Sequence, residues 1–412
     1  MSTYLELNKE LTPEQIALKK ETHRFAEEVL RPASIELDRI ADPEEVIKKG
    51  SVLWEVFRKA YELGHHISGF PEELGGANLG PLERHIVAEE NGWGSADLAI
   101  ALGVSTFPFS FAALSGNPEL MRDVVIPYAQ DKEAKYIGCW ALTEPQHGSD
   151  ALMIGAEQFR DPRTAFDLTA KLDGDEWVIN GQKAAWVSNG TIASHALLFV
   201  SIDPSLGMAG SGVAVVPLNL PGVSRGRPLN KIGQRALNQG EIFFDDVRIP
   251  NHYMLVQPSA YPFTIDMILA GANAGMAAIF TGVARAAFEE ALAYCKERVQ
   301  GAKPICEHQL VQIKLFDMFI KVESARALSR AVMIHNATAL PPATYYSIAA
   351  KVYCTNVAFE VASDAVQLFG GMGLSKELIV EKLFRDARAS MIEDGCNEVL
   401  SLAAARQLID KC

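Results

Sequence analysis

Two stretches of this sequence concentrate polar groups that could take part in chemistry. The first, Ala141 to Asp150 (ALTEPQHGSD), combines Thr, Ser and Gly, so it can offer backbone N–H groups and hydroxyls without steric bulk. Such donors suit a group that gains negative charge, but the same composition is typical of a polar turn between strands. The second, Ile392 to Glu398 (IEDGCNE), places two carboxylates before a glycine. Taken alone, it is typical of a solvated acidic turn.

Two further blocks are rich in turn residues. In Ile179 to Gly190 (INGQKAAWVSNG), Asn180-Gly181 predicts a hairpin turn, after which Trp186 offers a flat apolar face and Ser188 a hydroxyl. A tryptophan in such a block is most often part of the core. The glycines of Gly370 to Gly373 are not a dinucleotide-binding fingerprint, because the third glycine and the strand-then-helix context are absent. They fit a tight turn between helices.

The elements that must position these blocks change along the chain. Thr12, Pro13 and Gln15 form the start signal of a first helix, with Thr12 as N-cap and Gln15 completing a capping box. After about Tyr136, alternation of apolar and polar residues and the turn signal Asp173-Gly174 predict a β block. Its predicted strands include 166–172, 196–202, 212–218 and 241–250. From about Pro262 the helical period returns, and 267–283 predicts a buried helix.

The predicted fold is therefore α+β and multidomain. It consists of an N-terminal helical domain (1–135), a middle β-barrel or sandwich domain (136–255) and a C-terminal four-helix bundle (256–412). A chain of 412 residues is too long for one ordinary core, which agrees with such a division.

Composition excludes several classes of function. The net charge of −13 disfavours nucleic acid as a partner. No uncharged apolar run of about 18 residues predicts a membrane span, and the N-terminus resembles neither a secretory signal nor a transit peptide. A cytoplasmic location is expected. The cysteines lack CxxC spacing, which predicts reduced thiols and no metal site. They are Cys139, Cys295, Cys306, Cys354, Cys396 and Cys412.

Three of the blocks together resemble the acyl-CoA dehydrogenase family. They are Ala141 to Asp150, Ile179 to Gly190 and Asp364 to Arg388 (DAVQLFGGMGLSKELIVEKLFRDAR), and they occur in the family's order and at about its spacing. The resemblance runs nearly end to end and implies FAD as cofactor, an acyl-CoA substrate and an electron-transferring flavoprotein as electron acceptor. It also implies a homo-oligomer, usually a tetramer, with FAD at the dimer interface.

The resemblance also implies roles for individual residues. Trp140, Leu142 and Thr143 would line the flavin ring, Ser149 would lie near FAD and the CoA arm, Trp186 would lie against the flavin, and Ser188 would bond near flavin N5. Arg298, Gln300, Gln367 and Gly371 match the family's contacts to the FAD of a neighbouring subunit. Two features depart from the usual pattern. His147 replaces a small residue and is expected on a surface loop, and one extra residue precedes Trp186.

The third departure from the family's usual pattern is at the position of the catalytic base. The family usually has Glu where Asp394 stands here, and the resemblance therefore implies Asp394 as the base, with Glu393 as the alternative. The carboxylate is one methylene shorter, a retraction of about 1.5 Å. Some members carry the base on the first helix of the last domain, but Ala272 and Asn273 occupy that region here, and Asn273 replaces an arginine common in fatty-acyl enzymes.

Three functions remain open at this point. The first is FAD-dependent α,β-dehydrogenation of an acyl-CoA, and the altered base region suggests a branched, cyclic or otherwise unusual acyl group. The second is a flavin oxidase or monooxygenase of the same fold that acts on a small carbon acid. The third is a non-catalytic flavin-binding subunit.

Overall fold

A helical region, a sheet and a second helical region follow one another along the chain. The computed structural model describes residue 7 and residues 11–411, which leaves Cys412 outside the described residues. This order confirms the predicted α+β architecture. The N-terminal helices are α1 (Pro13–Phe25), α2 (Arg31–Arg39), α3 (Pro43–Ile47), α4 (Val52–Glu62), α5 (Pro81–Gly94), α6 (Ala96–Val104), α7 (Phe107–Leu114), α8 (Pro118–Leu120) and α9 (Ile126–Ala129).

The start of α1 is the one the sequence predicts. The Gln15 backbone N–H donates to Thr12 Oγ1 at 3.2 Å, and the Thr12 N–H donates to Gln15 Oε1 at 3.0 Å. Pro13 occupies the first turn, where its missing N–H is not needed. The capping box is therefore confirmed.

The middle region is one mixed sheet. Its strands are β1 (Gly138–Ala141), β2 (Thr169–Asp173), β3 (Glu176–Ser188), β4 (His195–Ser201), β5 (Ser211–Pro217), β6 (Val223–Arg225), β7 (Gln239–Pro250) and β8 (Met254–Val256). They run in the order β6-β7-β3-β1-β4-β5-β8, and β1 and β4 are parallel. Because β2 pairs with both β3 and β4, part of the sheet closes on itself. Every residue of β4 is buried, which explains its unbroken apolar run.

The prediction of a hairpin turn at Asn180-Gly181 is wrong. Both residues lie inside β3, and the turn falls earlier, between β2 and β3. Gly181 has φ +130° at a register shift in the β3–β7 pairing, so the glycine serves a bulge. A Cβ there would lie 2.7 Å from Leu168 Cα, so close packing also requires glycine.

The C-terminal region is built around one long helix, α10 (Tyr261–Glu297), which contains the predicted buried segment 267–283. A small hairpin follows, formed by β9 (Val299–Gln300) and β10 (Lys303–Pro304). The remaining helices are α11 (Gln309–Thr338), α12 (Thr344–Phe369), α13 (Val380–Ser390) and α14 (Asn397–Lys411). Helix α10 packs against α11, α12 and also α5, so it joins the two helical regions.

Helices α5 and α10 approach closely through a pair of glycines. A Cβ on Gly92 would lie 2.0 Å from the Ile279 carbonyl oxygen, and one on Gly282 would lie 2.0 Å from the Glu89 carbonyl oxygen. No larger residue fits either position without moving a helix. The close approach fixes the N-terminal helices against the C-terminal bundle.

Buried charges lie at the same helix contact. Glu89 accepts hydrogen bonds from Arg285 Nη1 at 2.8 Å and Arg326 Nε at 2.9 Å, and Glu90 also pairs with Arg285. Arg330 Nη2 lies 3.3 Å from Glu89. Burial alone would raise the pKa of Glu89, but the three guanidinium groups outweigh it and hold that pKa well below its usual range. Both carboxyls are therefore ionised, and the arginines compensate their charge.

Two described helical stretches, Ala96–Leu114 and Tyr261–Glu297, are long and apolar enough to cross a bilayer. Most of each stretch is buried inside the protein, as in the core helix of a globular protein. Their length and apolar composition are therefore weak evidence for a membrane span. The five cysteines within the described residues are free thiols.

Candidate functional site

An aromatic and hydroxyl-bearing surface forms where β1 meets β3. Trp140 of β1 is paired directly with Ser188 of β3. Trp186 lies two residues before Ser188, and residues spaced by two share a face of a strand. Gln239 Nε2 donates to Ser188 Oγ at 3.1 Å and to the Trp186 carbonyl at 3.3 Å, which holds this end of β3. The structure therefore brings together three of the predicted flavin contacts.

Trp186 lies within a second irregularity of β3. The pairing of β3 with β7 changes register between Lys183 and Val187, so β3 has more residues than β7 in this segment. The Trp186 side chain is 58% exposed although it lies within a strand. An indole with that much free surface can stack on a flat ring.

Below this surface, a buried ion pair fixes the loop that contains Leu142 and Thr143. Lys183 Nζ donates to the Leu142 carbonyl at 3.0 Å and to Glu144 Oε1 at 2.7 Å. The Ala184 N–H donates to the Thr143 carbonyl at 2.8 Å. Burial lowers the pKa of Lys183 to about 8, against the opposing charge of Glu144. The loop therefore continues the pairing of β1 with β3 and keeps both predicted residues beside Trp140.

The prediction that His147 lies on the surface is wrong. Only 10% of its side chain is exposed, and Nδ1 lies 2.8 Å from Asp150 Oδ2. Its backbone also pairs with that of Glu144, which turns the ring inward. Glu144, His147 and Asp167 lie close enough together to hold a cation, but Lys183 already neutralises Glu144.

The predicted base stands in the loop between α13 and α14. Asp394 has φ +51° and Gly395 has φ +93°, both in the left-handed region, which is uncommon for aspartate. A Cβ on Gly395 would lie 2.8 Å from Leu400 Cδ2 and 3.0 Å from Leu152 Cδ1, and the φ of +93° also favours glycine. The backbone is thus held in one unusual conformation, which is common at functional sites.

Three polar contacts hold this loop from outside. Lys351 Nζ donates to the Gly395 carbonyl and to Asn397 Oδ1, each at 2.8 Å. The Cys396 N–H donates to Ser149 Oγ at 2.9 Å. Ser149 therefore connects the first sequence block to the base loop, which the sequence did not indicate.

The two carboxyls of the loop resist ionisation. Burial raises the pKa of Glu393 to about 7, although a hydrogen bond of 2.6 Å from Gln234 Nε2 lowers it in part. Crowding by protein likewise raises the pKa of Asp394, opposed by the charge of Lys351. Asp394 is nevertheless an exposed residue, so protein lies around its carboxyl while solvent still reaches it. A carboxylate in such surroundings is a stronger base than one in water.

Lys351 belongs to the same electrostatic group. Its ammonium is buried, and burial lowers its pKa to about 8, against the attraction of Asp394 and Glu393. Lys231, a second lysine with a pKa lowered by burial to about 8, donates to Gln239 Oε1 at 2.7 Å. Gln239 also bonds Ser188, so polar contacts run from the β1–β3 surface toward the loop.

The four remaining predicted residues form a separate group at one end of the C-terminal bundle. The ring of Tyr294 stacks on Phe369 at 4.0 Å, which joins the end of α10 to the end of α12. Arg298 and Gln300 follow Tyr294, and Gln367 and Gly371 flank Phe369. All four are exposed. Their contact with a neighbouring subunit's cofactor stays a prediction.

Asn273, on the first helix of the bundle, is fully buried in α10. Among the described residues, neither its amide nitrogen nor its amide oxygen has a hydrogen-bond partner. Ala272 beside it offers no carboxylate. The helix therefore supplies no alternative base at this position.

Matches to known proteins cover most of the chain. Residues 12–132, 139–247 and 265–409 match the N-terminal, middle and C-terminal domains of acyl-CoA dehydrogenase. The mitochondrial short-chain specific acyl-CoA dehydrogenase of Bos taurus is 34% identical over 96% of this chain and 90% of its own length.

Solved structures show the same similarity to acyl-CoA dehydrogenases. Butyryl-CoA dehydrogenase of Megasphaera elsdenii superposes with a TM-score of 0.84 at 29% identity, covering 98% of this chain and 100% of the other. A glutaryl-CoA dehydrogenase in complex with glutaryl-CoA gives 0.86 at 27% identity, covering 98% and 97%. The chain therefore belongs to the acyl-CoA dehydrogenase family and is an FAD-dependent oxidoreductase.

Proposed function

We propose that this enzyme oxidises an acyl-CoA thioester between its α and β carbons, with Asp394 as the group that takes the α-proton. The observation that carries the proposal is the position of Asp394 in a left-handed loop that Lys351 and Ser149 fix, where the surrounding protein also raises its pKa. The α-proton of a thioester is weakly acidic, so its removal requires a desolvated base at a fixed position.

The residues at the β1–β3 junction suit the cofactor. The exposed indole of Trp186, the half-buried Trp140 and the Ser188 hydroxyl would hold the flavin ring, with Leu142 and Thr143 at its edge. FAD, when bound, supplies the acceptor for the hydride from the β-carbon. The protein's part is to hold the α-carbon against the Asp394 carboxylate and to stabilise the charge that develops on the thioester oxygen.

A donor for that oxygen is available in the same loop. Among the described residues, the backbone N–H of Asp394 has no hydrogen-bond acceptor. An N–H that is unpaired in the free protein can bond the thioester oxygen, and this bond strengthens as negative charge develops. Lys351 sets the loop and lies near enough to influence both carboxyls, so it acts as a positioning residue.

The short carboxylate suggests which acyl group binds. Because aspartate reaches about 1.5 Å less far than glutamate, the α-carbon must come closer to the loop. A branched, cyclic or otherwise unusual acyl group is therefore proposed, whereas the relatives' names specify short-chain, butyryl and glutaryl groups. Electrons would pass to an electron-transferring flavoprotein, and a cytoplasmic location is part of the same proposal.

A homo-oligomer, with a tetramer as the expected form, is also proposed. Helix α11 carries an exposed apolar ridge, formed by Leu310, Ile313, Phe316 and Ile320. A contiguous apolar ridge of this kind is typical of a surface that a partner covers. Arg298, Gln300, Gln367 and Gly371 would then lie within reach of a neighbour's FAD. Sedimentation of the FAD-loaded protein tests this, and a stable monomer would contradict it.

The test of the activity is anaerobic mixing of the FAD-loaded enzyme with a set of CoA thioesters. We expect loss of the flavin's visible absorbance with at least one thioester and slow reoxidation by oxygen. Rapid oxygen consumption on a carbon acid that lacks CoA would instead favour a flavin oxidase. Bound FAD that no thioester reduces would favour a non-catalytic subunit.

A further inference from the structure

A row of three cross-strand neighbours forms the surface at the β1–β3 junction. Trp140 of β1 is paired with Ser188 of β3, and Ser188 is paired in turn with Gln239 of β7. Residues directly opposite each other on neighbouring strands place their side chains next to one another on one face of the sheet. The strand register therefore sets the side chain of Gln239, which is 8% exposed, against the hydroxyl of Ser188.

The side-chain amide of Gln239 makes three hydrogen bonds. Its Nε2 donates to Ser188 Oγ at 3.1 Å and to the Trp186 carbonyl at 3.3 Å. Its Oε1 accepts from Lys231 Nζ at 2.7 Å. A primary amide has two N–H donors and one oxygen acceptor, so every group of this amide is engaged.

The neighbours of this amide permit only one orientation. The ammonium of Lys231 has donors and no acceptor, so the oxygen of Gln239 must face it. The carbonyl of Trp186 is only an acceptor, so the amide nitrogen must face that side. Turning the amide over would bring donors together at Lys231 and acceptors together at Trp186, and each mismatch costs the free energy of an unmade hydrogen bond.

Lys231 is itself held in place. Its Nζ also donates to the Leu237 carbonyl at 2.7 Å. Arg235 donates to the Lys231 carbonyl at 2.9 Å and to the Ile40 carbonyl at 2.5 Å, which ties this segment to the N-terminal helices. Burial lowers the pKa of Lys231 to about 8, although the negative charge of Glu393 opposes this fall. The ammonium form, which only donates, is therefore the main form at neutral pH.

These contacts determine the direction of the Ser188 hydroxyl. Because Gln239 donates to Ser188 Oγ, the hydroxyl must direct its own hydrogen elsewhere. Among the described residues, no side chain or carbonyl accepts that hydrogen. Ser188 is only partly buried and lies two residues after the exposed Trp186. The hydroxyl is thus available as a donor on the surface where the flavin ring is proposed to lie.

We propose that Lys231 and Gln239 are positioning residues that fix the Ser188 hydroxyl as a hydrogen-bond donor toward the flavin. This inference rests on the proposed place of Ser188 near flavin N5 and assigns the direction of that hydrogen bond. The N5 atom of oxidised flavin carries a lone pair and no hydrogen, so a hydroxyl held as a donor suits it. A serine that donated to a protein group instead would offer N5 only a second lone pair.

The test measures cofactor choice, which a merely structural role of these residues would not change. The FAD-loaded enzyme is equilibrated with equal concentrations of FAD and 5-deaza-FAD, in which a C–H group replaces N5. The two bound cofactors are then released and quantified. We expect the wild type to prefer FAD, and Ser188→Ala to reduce that preference by about 10-fold, which corresponds to one hydrogen bond.

Gln239→Glu reverses the hydrogen bond without changing the size of the side chain. A carboxylate keeps the pair with Lys231 but only accepts, so Ser188 must donate to it and loses its hydrogen for the cofactor. The preference for FAD should fall to that of Ser188→Ala, and combining the two substitutions should lower it no further. FAD and 5-deaza-FAD carry the same charge, so the effect of the added negative charge cancels in the ratio. Gln130→Glu, at an exposed glutamine after α9, is the matched control and should keep the wild-type preference.

Lys231→Met is a second, independent variant. The amide of Gln239 then loses the cation that fixes its oxygen and is oriented only by the Trp186 carbonyl, so the preference should fall by roughly 3-fold. The inference is overturned if Ser188→Ala reduces the preference and Gln239→Glu keeps that of the wild type. Should Gln239→Glu not fold with FAD, a wild-type preference in Lys231→Met overturns it equally. If Ser188→Ala itself leaves the preference unchanged, the proposed place of Ser188 near N5 fails and the inference fails with it, whereas flavin reduction by thioesters tests the proposed function separately.

Discussion

Two pairs of neighbouring acidic residues in this enzyme have opposite electrostatic surroundings. Glu89 and Glu90 face the guanidinium groups of α10 and α11, and the pKa of Glu90 falls to about 2 because Arg285 outweighs the effect of burial. Glu393 and Asp394 face fewer cations: Lys351 acts on both carboxyls and Lys231 on Glu393, and their pKa values rise because burial outweighs these charges. The number of cations around a carboxyl, more than its burial, decides whether it is a permanent charge or a group that exchanges a proton.

The largest effect is expected from removing the compensation of the first pair. Arg285→Met leaves Glu89 and Glu90 buried with one cation fewer, so the free energy of unfolding should fall by about 3–5 kcal/mol. Urea denaturation of the FAD-loaded protein measures this. Arg122→Met breaks an exposed pair with Asp123 and should leave the free energy of unfolding nearly unchanged. Equal losses in the two variants would contradict the structural role of the arginines.

The second prediction removes the ammonium of Lys351, which opposes the raised pKa of Asp394. Lys351→Met should raise the pKa of Asp394 further, because the opposing charge of Lys351 is lost while the surrounding protein stays. The acidic limb of the kcat/KM profile should then move to higher pH, and kcat should fall by roughly 10- to 100-fold as the loop loses its support. Lys321→Met, at a lysine paired with Asp317 and Glu360, is the control. An unchanged pH profile would show that Lys351 does not influence the base.

A smaller effect concerns Glu393 and the dependence of stability on pH. Its pKa rises on folding from 4.5 to about 7, so the folded state binds more protons in that window and stability falls as the pH rises through it. Glu393→Gln cannot ionise, so it should raise the Tm by about 1–3 °C at about pH 8 and leave it unchanged at about pH 4. A variant that lowers the Tm at the higher pH would show that the ionised carboxylate stabilises the fold.

Local signals in the sequence gave correct predictions where the structure depends on neighbouring residues. The Thr12–Gln15 capping box and the buried helix at 267–283 are of this kind, since a few consecutive positions determine them. Asn180-Gly181 misled because a glycine with positive φ serves a bulge as well as a hairpin turn. Gly181 does adopt a positive φ, but the pairing of β3 with β7 makes it part of a bulge instead of a turn.

No local sequence pattern indicated the residues that support the site. Lys351 reaches the base loop from 44 positions away, and Gln234 reaches Glu393 from 159 positions away. A lysine in the middle of an apolar helix shows only that a partner must exist. His147 was misplaced for the same reason, because its contact with Asp150 and its inward position depend on the fold of the loop.

The most direct test of the proton-accepting role of Asp394 is the rate of flavin reduction in one anaerobic turnover, with the same acyl-CoA for each variant. Asp394→Asn should slow reduction by at least about 100-fold, Asp394→Glu should stay within about 10-fold of the wild type, and Glu393→Gln should retain most of the rate. Reduction at the wild-type rate in Asp394→Asn, or a loss confined to Glu393→Gln, would contradict the assignment of Asp394 as the base.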